Sequence, residues 1–143
     1  MLSASHLSRW LLPGIALLLG TSGVIVVWVA VAILSGGACG WLALLAAAEV
    51  ALLLRLTQAP AGNFRIAVAV FGCALAIALT LWMIAATHLG FVFGIGPMTS
   101  AFRLGPVLAW ELTRLTVRPL DWLFMVLSLP LAALWSRGAR EDR

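Results

Sequence analysis

The chain has 143 residues, of which 64% are hydrophobic and 10% charged, and its formal net charge is +4. A soluble domain carries about a quarter of its residues as Asp, Glu, Lys or Arg. This composition, with a mean hydropathy of +1.13, therefore excludes an ordinary water-soluble fold and makes the lipid bilayer the expected partner and solvent. The basic residues are scattered apart from Arg137, Arg140 and Arg143 at the end, so the positive charge reads as topology and no nucleic acid is expected. All nine are Arg, with no Lys, a bias that fits a GC-rich bacterial genome.

The first apolar run, from Trp10 to Leu34, is too long for the apolar core of a signal peptide and reads as a retained transmembrane helix. Pro13 and Gly14 fall in its first turn, where proline is tolerated. The β-branched stretch from Val24 to Val29 would suggest a strand in water, but a lone strand in lipid leaves its backbone unpaired, so a helix is expected. Gly20, Thr21, Ser22 and Gly23 form a small, polar midsection, either a packing notch or a kink. Gly36, Gly37, Ala38 and Cys39 resemble a lipoprotein cleavage site only loosely, because Gly36 stands where a Leu-like residue is required.

After a tight turn at Ser35–Gly37 a second span is predicted from Ala38 to Leu56. Ala43, Ala47 and Ala51 recur every four residues and give it a face on which another helix can pack closely. A polar loop with Pro60, Gly62 and Asn63 as turn residues leads to a third span from Ile66 to His88. There Gly72, Ala76 and Thr80 repeat the small-residue spacing. Residues 89–104, with Gly90, Gly94, Gly96 and Pro97, predict an irregular apolar loop. The GxxxG pairs Gly36/Gly40 and Gly90/Gly94 fall at turns, where turn geometry explains them.

Residues 106–118 carry Glu111, Arg114 and Arg118 on one face, with Leu108, Leu112 and Leu115 on the other. This is the pattern of an amphipathic helix lying on the membrane surface. The fourth span, Leu120 to Trp135, is short at about 24 Å and contains Pro130. Asp121 near its start complements the positive end of the helix dipole. A polar, frayed tail is expected from Ser136. The fold class is thus an all-α, polytopic membrane protein in one domain, with about four transmembrane helices (10–34, 38–56, 66–88, 120–135) and one interfacial helix (106–118).

Short cytoplasmic segments are enriched in Arg and Lys. With the N-terminus inside, the inner side holds Arg9, Arg55, Arg65, Arg137, Arg140 and Arg143 and the outer side Arg103, Arg114 and Arg118, which favours both termini in the cytoplasm of a bacterial inner membrane. Trp10, Trp41, Trp122 and Trp135 fall at predicted helix ends, where indoles prefer the headgroup level. Trp28 and Trp82 should pack between helices. Cys39 and Cys73 have no metal spacing and fall near opposite faces, so no disulfide between them is expected. No cofactor or metal motif is present.

Glu49 is the outstanding candidate, a carboxylate within an apolar span. At the helix centre such a group costs about 2.5–3.5 kcal/mol to insert, so it should face the protein interior or a water-filled cavity. Three roles are open to it: a proton-carrying or cation-binding site, a hydrogen-bonded link between helices or subunits, or a group reaching water beside Arg55 or Arg65. Gly72 on the third span lies at its depth and would leave it room. His88, Glu111, Arg114 and Asp121 are weaker candidates. They could form an acid–base group above the outer face, but Glu111 and Arg114 also suit an ordinary i,i+3 pair, and Asp121 a helix cap. The reading favoured is a non-catalytic accessory or assembly subunit with a membrane-protein partner or a second copy of itself. The alternatives are a small oligomeric transporter or lipid flippase using Glu49, and a lipid-modifying enzyme using residues 88–121.

Overall fold

A computed structural model describes residues 4–60 and 62–137, with side chains from Ser8 onward. The tail from residue 138, with Arg140 and Arg143, and the side chain of His6 lie outside the described residues. The chain is all-helical: α1 (Ala4–Ser35), α2 (Leu42–Leu56), α3 (Asn63–Phe93), α4 (Pro97–Arg103), α5 (Pro106–Thr116) and α6 (Pro119–Ser136). Among the described residues three helical segments are long and apolar enough to cross a membrane: Ser8–Ser35, Asn63–Phe93 and Pro119–Ser136. At 1.5 Å per residue, α1 and α3 are each about 47 Å long, whereas α2 reaches about 22 Å.

The helix directions follow from contacts between their ends. At one end of the bundle Trp10 of α1 stacks edge-on against Phe64 of α3, ring centroids 4.9 Å apart, so these two helices start together. At the other end the Gly40 N–H, just before α2, donates to Asp121 Oδ1 at the start of α6 (2.7 Å). Where α2 and α6 finish, Arg55 donates from Nε and Nη2 to Trp135 O (3.0 and 2.6 Å). Hence α1 runs alongside α3 in one direction, and α2 alongside α6. Central α2 packs on α1, α3 and α6, and α3 touches every other helix.

Small residues make this packing possible. Ala43, Ala46, Ala47 and Ala51 of α2, Ala69, Cys73, Ala76 and Thr80 of α3, and Ser128, Ala132 and Ser136 of α6 are buried. Large apolar side chains point outward instead: Leu18 and Leu19 are each 71% exposed and Leu34 is 88% exposed. An arrangement with small residues inside and large apolar residues outside is that of helices associating in lipid, where contact between backbones matters more than removing leucines from solvent.

Four local expectations change. Helix α1 begins six residues before Trp10, so Pro13 is an interior proline, buried within the bundle; neighbouring helices allow the hydrogen bond it forfeits. Leu42, rather than Ala38, opens α2. Before it Cys39 takes a positive φ of 50°, and the Leu42, Ala43 and Leu44 N–H groups make tight i→i−3 bonds back to Cys39, Gly40 and Trp41. Helix α3 continues past His88 to Phe93. Residues 89–104 are not an irregular loop: Gly94, at φ 65°, caps α3 in the left-handed conformation, and α4 folds back onto the helix. The fold-back needs Gly90, where a methyl group would lie 2.7 Å from Ile95 O.

Candidate functional site

Glu49 sits on the flank of α2 that faces α1. The groove between these helices has a volume of about 350 Å³ and is lined by Gly20, Gly23, Val24, Val27, Trp28, Leu42, Leu45 and Glu49. Among the described residues, Glu49 is its only ionisable side chain. A methyl group at Gly20 would fall 2.9 Å from Glu49 Oε1 and 2.5 Å from Leu53 Cδ1. The polar midsection of α1 is therefore a packing notch, and its absent side chain gives the carboxylate its room. The expected room opposite Gly72 is not where Glu49 goes: the nearest neighbour of a methyl there is Val50 Cγ1, at 3.8 Å. Glu49 follows the α1 side of α2 because the adjacent Val50, one step of about 100° around the helix, is the residue that turns toward α3.

Glu49 Oε2 is buried and has no hydrogen-bond partner among the described residues. Such a group keeps the cost of desolvation without the return of a bond. The floor of the groove is fully bonded by contrast. Trp28 is fully buried, and its indole N–H donates to Ala38 O (2.8 Å). That bond ties the α1–α2 turn to the C-terminal part of α1.

The weaker candidates do not come together as one group. Asp121 accepts from the Gly40 N–H through Oδ1 and from the Arg118 N–H through Oδ2 (3.1 Å). It therefore caps α6 and ties that helix to the α1–α2 turn. Glu111 and Arg114 form an i,i+3 ion pair at 3.8 Å with both side chains more than half exposed. His88 lies inside α3, which continues to Phe93, its Nδ1 3.0 Å from Ile84 O on the same helix. Trp110 of α5 meets Trp122 of α6 edge-on at 6.0 Å, which fixes α5 beside the start of α6. Among the described residues no three His, Cys, Asp or Glu side chains are grouped to hold a metal ion. Cys39 and Cys73 are free thiols.

Sequence reasoning missed three residues of consequence. Gly40 has no room for a side chain, since a methyl would lie 2.5 Å from the Asp121 Cα. Gly20 was visible only as part of a small-residue stretch; its spacing of eight from Trp28, just over two turns, was the available signal that both share a face. Arg65, a loop-flanking cation by sequence, is 8% exposed. No family model, curated protein or solved structure matches this chain.

Proposed function

We propose that this chain is a multi-pass protein of the bacterial cytoplasmic membrane that serves as a non-catalytic accessory or assembly subunit, and that a membrane partner inserts a helix bearing a basic side chain into the α1–α2 groove to pair with Glu49. The observation that carries this reading is the buried, unpartnered Glu49 Oε2 at the edge of an apolar groove. A carboxylate in that state is completed by a cation, and apolar groove walls suit the stem of a lysine or arginine.

In this reading α2 is a fourth membrane-crossing helix despite its length. It packs against α1, α3 and α6, so only part of its surface has to match the hydrocarbon, and α6 beside it is nearly as short. Helix α5, with its exposed Glu111–Arg114 pair, lies at the interface. Arg9, Arg55, Arg65 and Arg137 gather at the end where α1 and α3 begin, and Arg103, Arg114 and Arg118 at the other. That asymmetry supports both termini in the cytoplasm. The enzymatic reading has less support, because Asp121 is engaged in capping. Cation transport by an oligomer draws on the same carboxylate and is the competing reading.

The test is site-specific photocrosslinking from Val27, which lines the groove, in the native membrane. The expected product is one partner, cross-linked through a transmembrane segment that contains Lys or Arg. Glu49→Gln should abolish the adduct, and Glu49→Arg combined with an acidic residue at the partner's basic position should restore it. A product consisting only of a second copy of this chain, with cation flux abolished by Glu49→Gln, would replace the accessory reading with the transporter.

A further inference from the structure

Arg65 lies in the first turn of α3. Side chains there lean toward the helix N-terminus, which carries its guanidinium back over the α2–α3 turn. Its Nη1 reaches Ala59 O only at 3.5 Å, the outer edge of a hydrogen bond. Nε and Nη2 have no acceptor among the described residues, although the side chain is more than nine-tenths buried. A guanidinium is always charged and carries five N–H donors, so this is a cation with most of its donors unused. The charge of Arg55 acts on it from across the turn, and Arg55 itself holds only a carbonyl, Trp135 O. Among the described residues no carboxylate pairs with either arginine; the ion pair present is Arg114–Glu111. Gly62 gives α3 no side-chain cap, so the positive end of a 31-residue helix dipole opens onto the same turn.

Two arginines, an uncapped helix start and, among the described residues, no acid make one demand, for an anion. We propose that the α2–α3 turn binds the phosphate of an anionic phospholipid headgroup, with Arg65 as the main ligand and Arg55 beside it. The guanidinium fork matches two phosphate oxygens. Basic pockets between transmembrane helices are where headgroups are held, and this turn lies at a bundle end, the level of the phosphates. Binding turns Arg65 outward, trading the long bond to Ala59 O for short charged ones. The inference rests on membrane placement but not on a partner at Glu49.

The test uses the purified full-length chain in mild detergent. Native mass spectrometry and thermal unfolding are recorded with phosphatidylglycerol, phosphatidylcholine or inorganic phosphate added. Phosphatidylglycerol should bind and stabilise the protein, and phosphatidylcholine, whose choline Arg55 and Arg65 repel, should do so far less. Arg65→Gln should weaken phosphatidylglycerol binding about tenfold, the loss of one charged hydrogen bond or more. Arg65→Lys should fall between, and Arg103→Gln at the far end should match the wild type.

Equal binding of the two lipids by the wild type overturns the proposal even if Arg65→Gln fails to fold. So does a folded Arg65→Gln variant that still binds phosphatidylglycerol fully. Stabilisation by inorganic phosphate alone to the same extent overturns the lipid assignment in favour of a soluble anion. Binding that emerges only after Glu141→Gln and Asp142→Asn would make the C-terminal tail the partner of Arg65 and also sink the idea.

Discussion

Asp121 and Glu49 are both carboxylates set among helices, and their surroundings differ in kind. Asp121 spends each oxygen on a backbone N–H, one from the α1–α2 turn and one from its own helix start. Glu49 lies in a notch cut by Gly20 and leaves Oε2 buried without a partner. The first arrangement is complete within the chain and so is read as structure. The second is incomplete among the described residues and so is read as an invitation to something further. Arg55 and Arg65 repeat the contrast in cations: one is committed to the end of α6, while the other holds a single long bond.

The strongest way to break the comparison is at the complete junction. Gly40→Ala places a methyl 2.5 Å from the backbone of Asp121, and backbone cannot step aside as a side-chain tip can. The variant should lose about 3 kcal/mol, the upper range for overpacking, read as a lowered midpoint of thermal unfolding in detergent. A Gly40→Ala protein as stable as the wild type would mean that α6 does not meet the α1–α2 turn. Asp121→Ala keeps the close approach but removes both acceptors. It should cost about 2 kcal/mol, a lost cap plus an orphaned Gly40 N–H, and protease susceptibility should rise first near residues 36–41 and 117–121.

How much of this was readable beforehand depends on which contrast each residue offered. In water a helix announces its inner face by alternating polar and apolar residues. In this chain both faces are apolar, so only side-chain size separates them. That contrast was enough for α2, where Ala43, Ala47 and Ala51 turned out to be the buried face, and for Trp28, whose ring is buried where two helices cross. It was too little to say which neighbour Glu49 would meet, because Gly20 and Gly72 are equally small and nothing in the sequence records the angle between helices. The α3–α4 turn was missed for another reason: Gly90 and Gly94 discourage an isolated helix, but packing of α4 on α3 outweighs that propensity. The burial of Arg65 had no sequence signal, since a cation next to Pro60 and Gly62 ordinarily points into water.

Glu49→Gln gives the smallest change in stability and the sharpest reading of the comparison. The amide has nearly the same shape as the carboxylate, so the notch at Gly20 stays filled, and a neutral group is cheaper to leave buried than an unpaired charge. Stability of the isolated protein should therefore stay the same or rise by up to about 1 kcal/mol, whereas Asp121→Asn, which puts an N–H₂ where one of two N–H donors now points, should lower it. If Glu49→Gln instead destabilises the isolated chain as much as the Asp121 variants do, then Glu49 has a bonding partner within the fold, and its role is to hold α1 against α2. If the folding midpoint is unmoved while the Val27 cross-link disappears, the carboxylate is kept for a cation that the chain does not itself supply. Only that second pattern justifies keeping an uncompensated acid inside an apolar groove.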